Sequence, residues 1–98
     1  MARVVITNPA LSEIQEIVEF IAADAPFRAS IFVEELIGSI ERLEDFPLVG
    51  RVIPERGDPS LRELIYRNYR VMYRFQDSLV EILHIYHSAR QLDESILD

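Results

Sequence analysis

The segment Leu61–His87, LRELIYRNYRVMYRFQDSLVEILHIYH, decides the fold of this 98-residue chain. Its β-branched and aromatic residues fall into three runs, separated by polar residues typical of short turns. The runs that we expect to form strands are Arg62–Arg67, Arg70–Phe75 and Leu79–His87. Almost every position of the last run is apolar, which predicts a central strand covered on both faces.

Before this segment the chain predicts a strand and then a helix. Arg3–Thr7 is rich in β-branched residues and therefore favours a strand. Asn8 suits a helix N-cap, and Pro9 suits the first helical position. Apolar residues then recur every three or four positions, as in an amphipathic helix. Ala25 is expected to end this helix because it precedes a proline.

A second helix and a loop follow. Pro26 can open the helix, and its apolar stripe ends near Phe46-Pro47. Gly38 lies inside this stripe, where we expect it to permit close approach of the two helices. The prolines and glycines of residues 47–60 exclude regular helix and predict one ordered loop.

The predicted order of elements is therefore β-α-α-β-β-β. This order indicates an α+β fold in which a two-helix hairpin packs on one face of an antiparallel sheet, with the N-terminal strand paired into that sheet. The length of the chain favours a single domain, residues 1–98. Residues 89–98 have weak helical potential and are expected to form a mobile tail.

Composition excludes several classes of protein. The chain has no cysteine, which rules out disulfides and thiolate chemistry and suits the reducing cytoplasm. No apolar run is long enough to span a membrane, and no signal peptide is visible, so we expect a cytoplasmic protein. His84 and His87 would point to opposite faces of a strand, and no carboxylates at ligand spacing accompany them, so no metal site is expected. No other cofactor is expected.

Charge is distributed unevenly around a formal net charge of −7. Residues 1–50 carry three arginines and nine acidic residues, whereas residues 51–74 carry six arginines and three acidic residues. The acidic total argues against general binding to nucleic acids, because phosphate contacts need positive charge. The arginine-rich segment could instead complement an acidic peptide.

Several short motifs, in chain order, carry a family resemblance. They are Ala10-Leu11, the IAADAP string at residues 21–26, LEDFP at 43–47 with Gly50-Arg51, Pro54-Glu55, Arg62-Glu63-Leu64, YRVMYR at 69–74 and ILHIYHSAR at 82–90. From residue 4 to residue 92 the chain resembles the ParE branch of the ParE/RelE toxin superfamily. No single motif is specific to this family, but the order of the motifs and the chain length, taken together, are specific to it.

The resemblance implies the toxin of a type II toxin–antitoxin pair. Such a toxin has an open sheet face and a groove that receive part of a labile antitoxin, so a hetero-oligomer with a cognate antitoxin is implied. ParE-like members act on DNA gyrase, whereas RelE-like members cleave mRNA in the ribosome without a metal. The RelE-like members use basic and acid–base residues to activate the ribose 2′-OH and stabilise the cleaving phosphate.

For the nuclease alternative, the resemblance assigns candidate catalytic roles to Arg70 and Arg90. His87 could serve as the acid, with Glu55 or Glu63 as the base. Other nuclease groups are missing: two lysine positions of RelE hold Leu61 and Glu63, and a tyrosine position holds Ile96. These departures favour a gyrase inhibitor that acts by binding rather than an enzyme. An inactive relative that only holds an antitoxin is the third possibility.

We expect the antitoxin or the target to contact the arginine-rich sheet. The candidate contact residues are Arg62, Arg67, Arg70, Tyr73, Arg74 and Arg90. Arginine suits such contacts because its planar guanidinium binds carboxylates through two parallel hydrogen bonds. Each candidate also has a structural alternative, since arginines and tyrosines commonly pack or pair within sheets.

Overall fold

A computed structural model describes residues 1–97 and contains a five-stranded sheet. The strands are β1 (Arg3–Ile6), β2 (Arg51–Val52), β3 (Leu61–Tyr66), β4 (Tyr69–Gln76) and β5 (Leu79–His87), in the spatial order β1-β5-β4-β3-β2. This confirms the α+β fold. The sheet is mixed, since β1 runs parallel to β5 while all other pairs are antiparallel. Strand propensity alone carries no information about whether neighbouring strands run parallel or antiparallel. The two-residue β2 lies within the segment that was predicted to be a loop.

The two helices are α1 (Asn8–Asp24) and α2 (Pro26–Glu41). The prediction of Asn8 as the N-cap is wrong by one residue, because Thr7 caps α1 and its hydroxyl accepts from the amide of Ala10 at 3.5 Å. The Thr7 hydroxyl also donates to the carbonyl of Ile82 on β5 at 2.7 Å. The cap therefore ties the start of α1 to the sheet, a tertiary contact that the local sequence does not display.

The helical region ends earlier than predicted. α2 stops at Glu41, and a 3₁₀ turn, Arg42–Glu44, leads the chain out of it. Gly38 does not serve helix–helix contact, because a Cβ built on it would meet nothing within 4 Å. The expectation of close helix approach at this residue is therefore wrong.

Apolar side chains cover both faces of the sheet. The helices pack on one face, which we call the helix face, over a core of twelve buried residues that includes Leu36, Val71 and Tyr73. The opposite face, here called the second face, has a smaller buried cluster of Ile53, Leu61, Met72, Tyr86 and Leu97. The prediction that β5 is covered on both faces is confirmed.

A bulge in β5 decides which side chains reach each face. Met72 pairs with His84, but the next residue, Tyr73, pairs with Ile82, so Leu83 is the extra residue. Ile82 and Ile85 therefore both join the helix-face core although they are three positions apart. The same shift places His84 beside Met72 on the second face.

The C-terminal residues pack against the second face. A 3₁₀ turn spans Glu94–Leu97, and the side chain of Leu97 is buried with Met72 and Tyr86. The predicted mobility of residues 89–98 stays a prediction, and its last residue, Asp98, lies outside the described residues. The packing nevertheless gives the tail a defined place on the sheet.

The 47–60 loop is fastened to the sheet through Gly50 and Tyr73. The buried Tyr73 hydroxyl accepts from the amide of Gly50 at 3.0 Å and donates to the carbonyl of Pro47 at 2.7 Å. A Cβ on Gly50 would lie 2.6 Å from that hydroxyl and 2.7 Å from the carbonyl oxygen of Glu63. Only glycine allows the loop to approach β3 and β4 this closely.

A pair of glycine substitutions tests this packing. We expect Gly50→Ala to lower the free energy of unfolding by about 2 kcal/mol, because its methyl group overlaps backbone and ring atoms. Gly38→Ala is the matched control: it adds the same methyl group to a helix with free space around it, and should raise stability by about 0.5–1 kcal/mol. Urea unfolding of both variants measures these changes, and equal stability of Gly50→Ala and the wild type would contradict the packing argument.

Candidate functional site

Arg70 lies at the centre of a network of ion pairs on the second face. Its Nε donates to Oε1 of Glu63 at 2.7 Å, and its two Nη atoms donate to the two carboxylate oxygens of Glu55 at 2.9 and 2.8 Å. Arg51 binds Oε2 of Glu63 at 2.6 Å. We call Arg51, Glu55, Glu63 and Arg70 the ion-pair network.

Strand register explains how the network assembles. Arg51 on β2 pairs directly with Glu63 on β3, so their side chains share a face. Arg70 on β4 lies diagonally across from Glu63, within reach of a long side chain. Glu55 reaches the same guanidinium from the 47–60 loop. Three strands and one loop thus meet at two carboxylates and two arginines.

Burial differs sharply within the ion-pair network. The side chain of Glu63 is 0% exposed and that of Arg70 is 9% exposed, whereas Glu55 and Arg51 are 34% and 61% exposed. A buried carboxylate is costly unless it is paired, and Glu63 is held between two arginines. The bonds from Glu55 and Glu63 raise the pKa of Arg70 against the effect of burial, and Arg70 in turn lowers the pKa of Glu55.

The geometry limits the chemistry that Arg70 can perform. All three guanidinium nitrogens donate to carboxylates, two of them in the paired arrangement that an arginine also uses to bind phosphate. An RNA phosphate would have to displace Glu55 and still face the buried Glu63. This arrangement supports a structural role for Arg70.

Three other candidates hold the 47–60 loop in place. Arg62 donates to the carbonyl of Gly50 at 3.0 Å, and Arg74 donates to the hydroxyl of Ser60 at 3.0 Å. Tyr73 is buried, and burial raises the pKa of its hydroxyl. Partner contact by these residues stays a prediction, and Tyr73 could meet a partner only if the loop moved away.

Arg67 lies at the turn between β3 and β4, where its φ is 52°. Its guanidinium donates to Glu35 on α2 at 2.6 Å and to the hydroxyl of Tyr66 at 2.9 Å. The ion pair lowers the pKa of Glu35 and ties the turn to the helix. Arg67 remains well exposed, with 57% of its side chain accessible to a partner.

The structure separates the candidate nuclease residues. Arg90 lies over the ring of Tyr86, 4.9 Å from its centroid, and Tyr86 is the cross-strand neighbour of Arg70. Arg90 and Arg70 therefore belong to the same face. The His87 ring instead contacts Tyr69 in an edge-to-face geometry at 5.3 Å, on the side of the helices. The three residues do not converge on one point.

The two histidines do not form a metal site. His84 contacts Glu13, and Nδ1 of His87 accepts from the amide of Ala89. Within residues 1–97, no group of three or more histidine, cysteine, aspartate or glutamate residues is placed to hold a metal ion. In the same part of the chain, no helix is both long enough and apolar enough to cross a membrane.

Sequence reasoning missed an exposed apolar surface beside β3. Phe46, Leu48, Val49 and Ile65 each expose more than half of their surface. Phe46, Val49 and Ile65 line one hollow between the end of α2 and the outer side of β3. β2 pairs with Arg62 and Glu63, so within residues 1–97 β3 has no partner strand beyond Glu63 on that side. The sequence signal for this apolar surface is that Phe46, Leu48 and Val49 lie close together in a loop segment.

Comparison with known proteins places this geometry in a family. The model of the ParE toxin of the type II toxin–antitoxin system parDE matches residues 4–92. The chain therefore belongs to the ParE toxin family, a class of small α+β proteins. A search of curated protein sequences gave no match.

Two solved structures share the fold. A chain of the chromosomal ParDE system from P. aeruginosa is 20% identical, with a TM-score of 0.74, over 89% of this chain and 96% of that chain. A chain of the toxin–antitoxin complex RelBE2 from Mycobacterium tuberculosis is 24% identical, with a TM-score of 0.56, over 88% of this chain and 96% of that chain. At these identities the likeness establishes the fold alone.

The ion-pair network predicts an asymmetry between single and double substitutions. Arg70→Ala should lower the free energy of unfolding by about 3 kcal/mol, because it leaves the carboxylate of Glu63 buried with one exposed partner. In the double variant Glu63→Leu/Arg70→Met both buried charges are absent, so stability should return to within about 1 kcal/mol of the wild type. Urea unfolding at neutral pH tests this, with the exposed Arg90→Met as control. A double variant no more stable than Arg70→Ala would contradict it.

Glu55 predicts a dependence of stability on pH. Its pKa is lowered in the folded state by Arg70, so its contribution is present above the pKa of an unfolded glutamate, about 4.3, and is lost as pH falls through the folded pKa. Glu55→Gln should therefore be less stable than the wild type near neutral pH, and the difference should shrink in acid. Urea unfolding across this range, with the exposed Glu16→Gln as control, measures it. A difference that is constant with pH would exclude the charge of Glu55 as its cause.

Proposed function

We propose that this chain is the toxin of a type II toxin–antitoxin pair, that it inhibits DNA gyrase by direct binding, and that a cognate antitoxin neutralises it. Membership of the ParE toxin family supports the first part. Inhibition by binding, rather than RNA cleavage, is supported chiefly by the state of Arg70, whose three guanidinium nitrogens are all bound to carboxylates. A toxin of this kind would act in the cytoplasm, where gyrase lies.

An RNA-cleaving mechanism receives less support from the geometry. Nuclease chemistry without a metal needs a base, an acid and cationic groups gathered around one phosphate. Here Arg70 is held by Glu55 and Glu63, and His87 lies on the other side of the sheet from Arg90. The observation that favours the nuclease alternative is that Arg90 is exposed and shares a face with Arg70.

We propose that antitoxin and target bind through arginines and apolar groups together. The exposed Arg67 and Arg90 offer charge, and the half-buried Arg62 and Arg74 border the 47–60 loop. Between α2 and β3, Phe46 and its apolar neighbours offer a hydrophobic contact. An acidic segment with apolar side chains would complement both features. The expected product is a hetero-oligomer of toxin and antitoxin.

A supercoiling assay tests the proposed target. We expect purified toxin at micromolar concentration to inhibit gyrase, and the stable double variant Glu63→Leu/Arg70→Met to inhibit it too, because Arg70 serves the fold rather than the reaction. Mapping of mRNA 5′ ends after brief expression should give no new codon-linked cuts. Unchanged gyrase activity would contradict the proposal, and cuts that disappear in the double variant would establish the nuclease alternative. Induction without growth arrest would instead indicate an inactive relative that only holds an antitoxin.

A further inference from the structure

An apolar groove lies between the two helices on the side away from the sheet. All of its lining residues belong to α1 and α2, and its volume is about 480 Å³. Leu11 and Val18 line it from α1, and Val33 and Ile37 line it from α2. Leu11 is 45% exposed, and the other three residues are half-buried. We call this feature the hairpin groove.

The apolar stripe of each helix is wider than the part that the sheet covers. Ala10 and Ile14 are buried in the core, whereas Leu11 and Val18 lie beside them, two turns apart on the same side of α1. The apolar floor of the groove is therefore about 10 Å long, the length of two helical turns. The backbone groups of both helices are already hydrogen-bonded, so the groove offers side-chain contacts rather than a free strand edge. Such a floor accepts the apolar side of another helix.

The surface around the hairpin groove is acidic. α1 holds four acidic residues and no basic one, and α2 holds three acidic residues and one arginine, Arg28. Glu19 lines the groove itself. Glu16, Glu19 and Glu34 are exposed, and within residues 1–97 none of them forms an ion pair. A ligand with basic groups beside an apolar face would therefore complement the groove.

This chemistry discriminates between the occupants that the groove could receive. A second copy of the chain would bring the same acidic helices together, and like charges oppose that contact. The acidic antitoxin segment proposed above fits the arginine-rich side of the sheet and is repelled at the groove. An enzyme that binds DNA, in contrast, needs positive charge on its surface to contact phosphates. Gyrase, the proposed target, is such an enzyme.

We propose that the hairpin groove is a surface through which the toxin binds gyrase, and that its occupant is an amphipathic helix of the enzyme with basic residues beside an apolar face. This inference rests on the proposed function and adds to it a contact on the helical side of the molecule. Leu11 and its apolar neighbours receive the apolar side chains of that helix, and Glu19 pairs with a lysine or arginine at the rim. Antitoxin binding does not depend on the groove.

Two single substitutions test the groove in the supercoiling assay. Leu11→Ser removes an apolar contact, and Glu19→Lys reverses the charge at the rim. We expect each to raise the toxin concentration that half-inhibits gyrase by roughly fivefold or more, the effect of losing one well-packed contact at an interface. The effect of Glu19→Lys should shrink as ionic strength rises, because salt screens exposed charges, whereas the effect of Leu11→Ser should persist. Both residues are exposed, so both variants should unfold in urea close to the wild-type midpoint.

Phe27→Ser and Glu94→Lys are the matched controls. They remove an apolar side chain and reverse a charge at exposed positions outside the groove. Both should inhibit gyrase as strongly as the wild type does. All four variants should still co-purify with the cognate antitoxin, because the antitoxin binds elsewhere.

The possible outcomes separate this inference from the proposed function. If the wild type inhibits gyrase and the two groove variants inhibit it equally well, or the controls lose as much as they do, the assignment of the groove is overturned and the proposed function stands. Loss of antitoxin binding in the groove variants, with gyrase inhibition intact, would assign the groove to the antitoxin, and a wild-type dimer that Leu11→Ser dissociates would assign it to a second copy. Either result overturns the inference. A wild-type toxin that leaves gyrase active would refute the proposed function and this inference with it. If Leu11→Ser proves unstable, Glu19→Lys decides the question, because Glu19 lies outside the core.

Discussion

The buried carboxylate of Glu63 is the constraint on which the rest of the site depends. Its side chain is completely enclosed on β3, and Arg51 and Arg70 each bind one of its oxygens. Removal of either arginine would leave a charge with too little compensation in a poorly solvated place. These ion pairs join β2, β3 and β4 to one another and to Glu55 of the 47–60 loop.

The loop after the helices is held by the same part of the sheet. Arg62, Arg70, Tyr73 and Arg74 each bind a residue of the 47–60 loop through side-chain hydrogen bonds. Four residues that suggested a binding surface from sequence thus fix one loop. A buried ion pair contributes little net stability compared with apolar packing of equal volume, whereas an arrangement that leaves one of its charges buried and unpaired is strongly destabilised. We therefore infer that the network specifies the loop's position, which in turn presents Phe46 and Val49 beside β3.

The sequence allowed the main elements to be predicted because each has a strong local pattern. The apolar run Leu79–His87 is a strand in the structure with the predicted bounds. What escaped prediction depends on distant residues: Thr7 is the cap of α1 because it also reaches the carbonyl of Ile82, and the bulge at Leu83 arises from pairing with β4. The sequence singles out Arg70, but whether its guanidinium faces a substrate or a carboxylate depends on Glu55, fifteen positions away in a loop without periodicity.

Two carboxylates hold Arg70 in place in the free toxin, and ¹⁵N NMR of arginine side chains tests this most directly. Rotation about the Nε–Cζ bond should be slow for Arg70, so that its Nη protons give separate resonances and its Nε–H exchanges slowly with water. The exposed Arg90 is the internal comparison and should show averaged, rapidly exchanging signals. Arg70 signals as averaged and as exchangeable as those of Arg90 would show a guanidinium free to meet a phosphate, and would contradict this account.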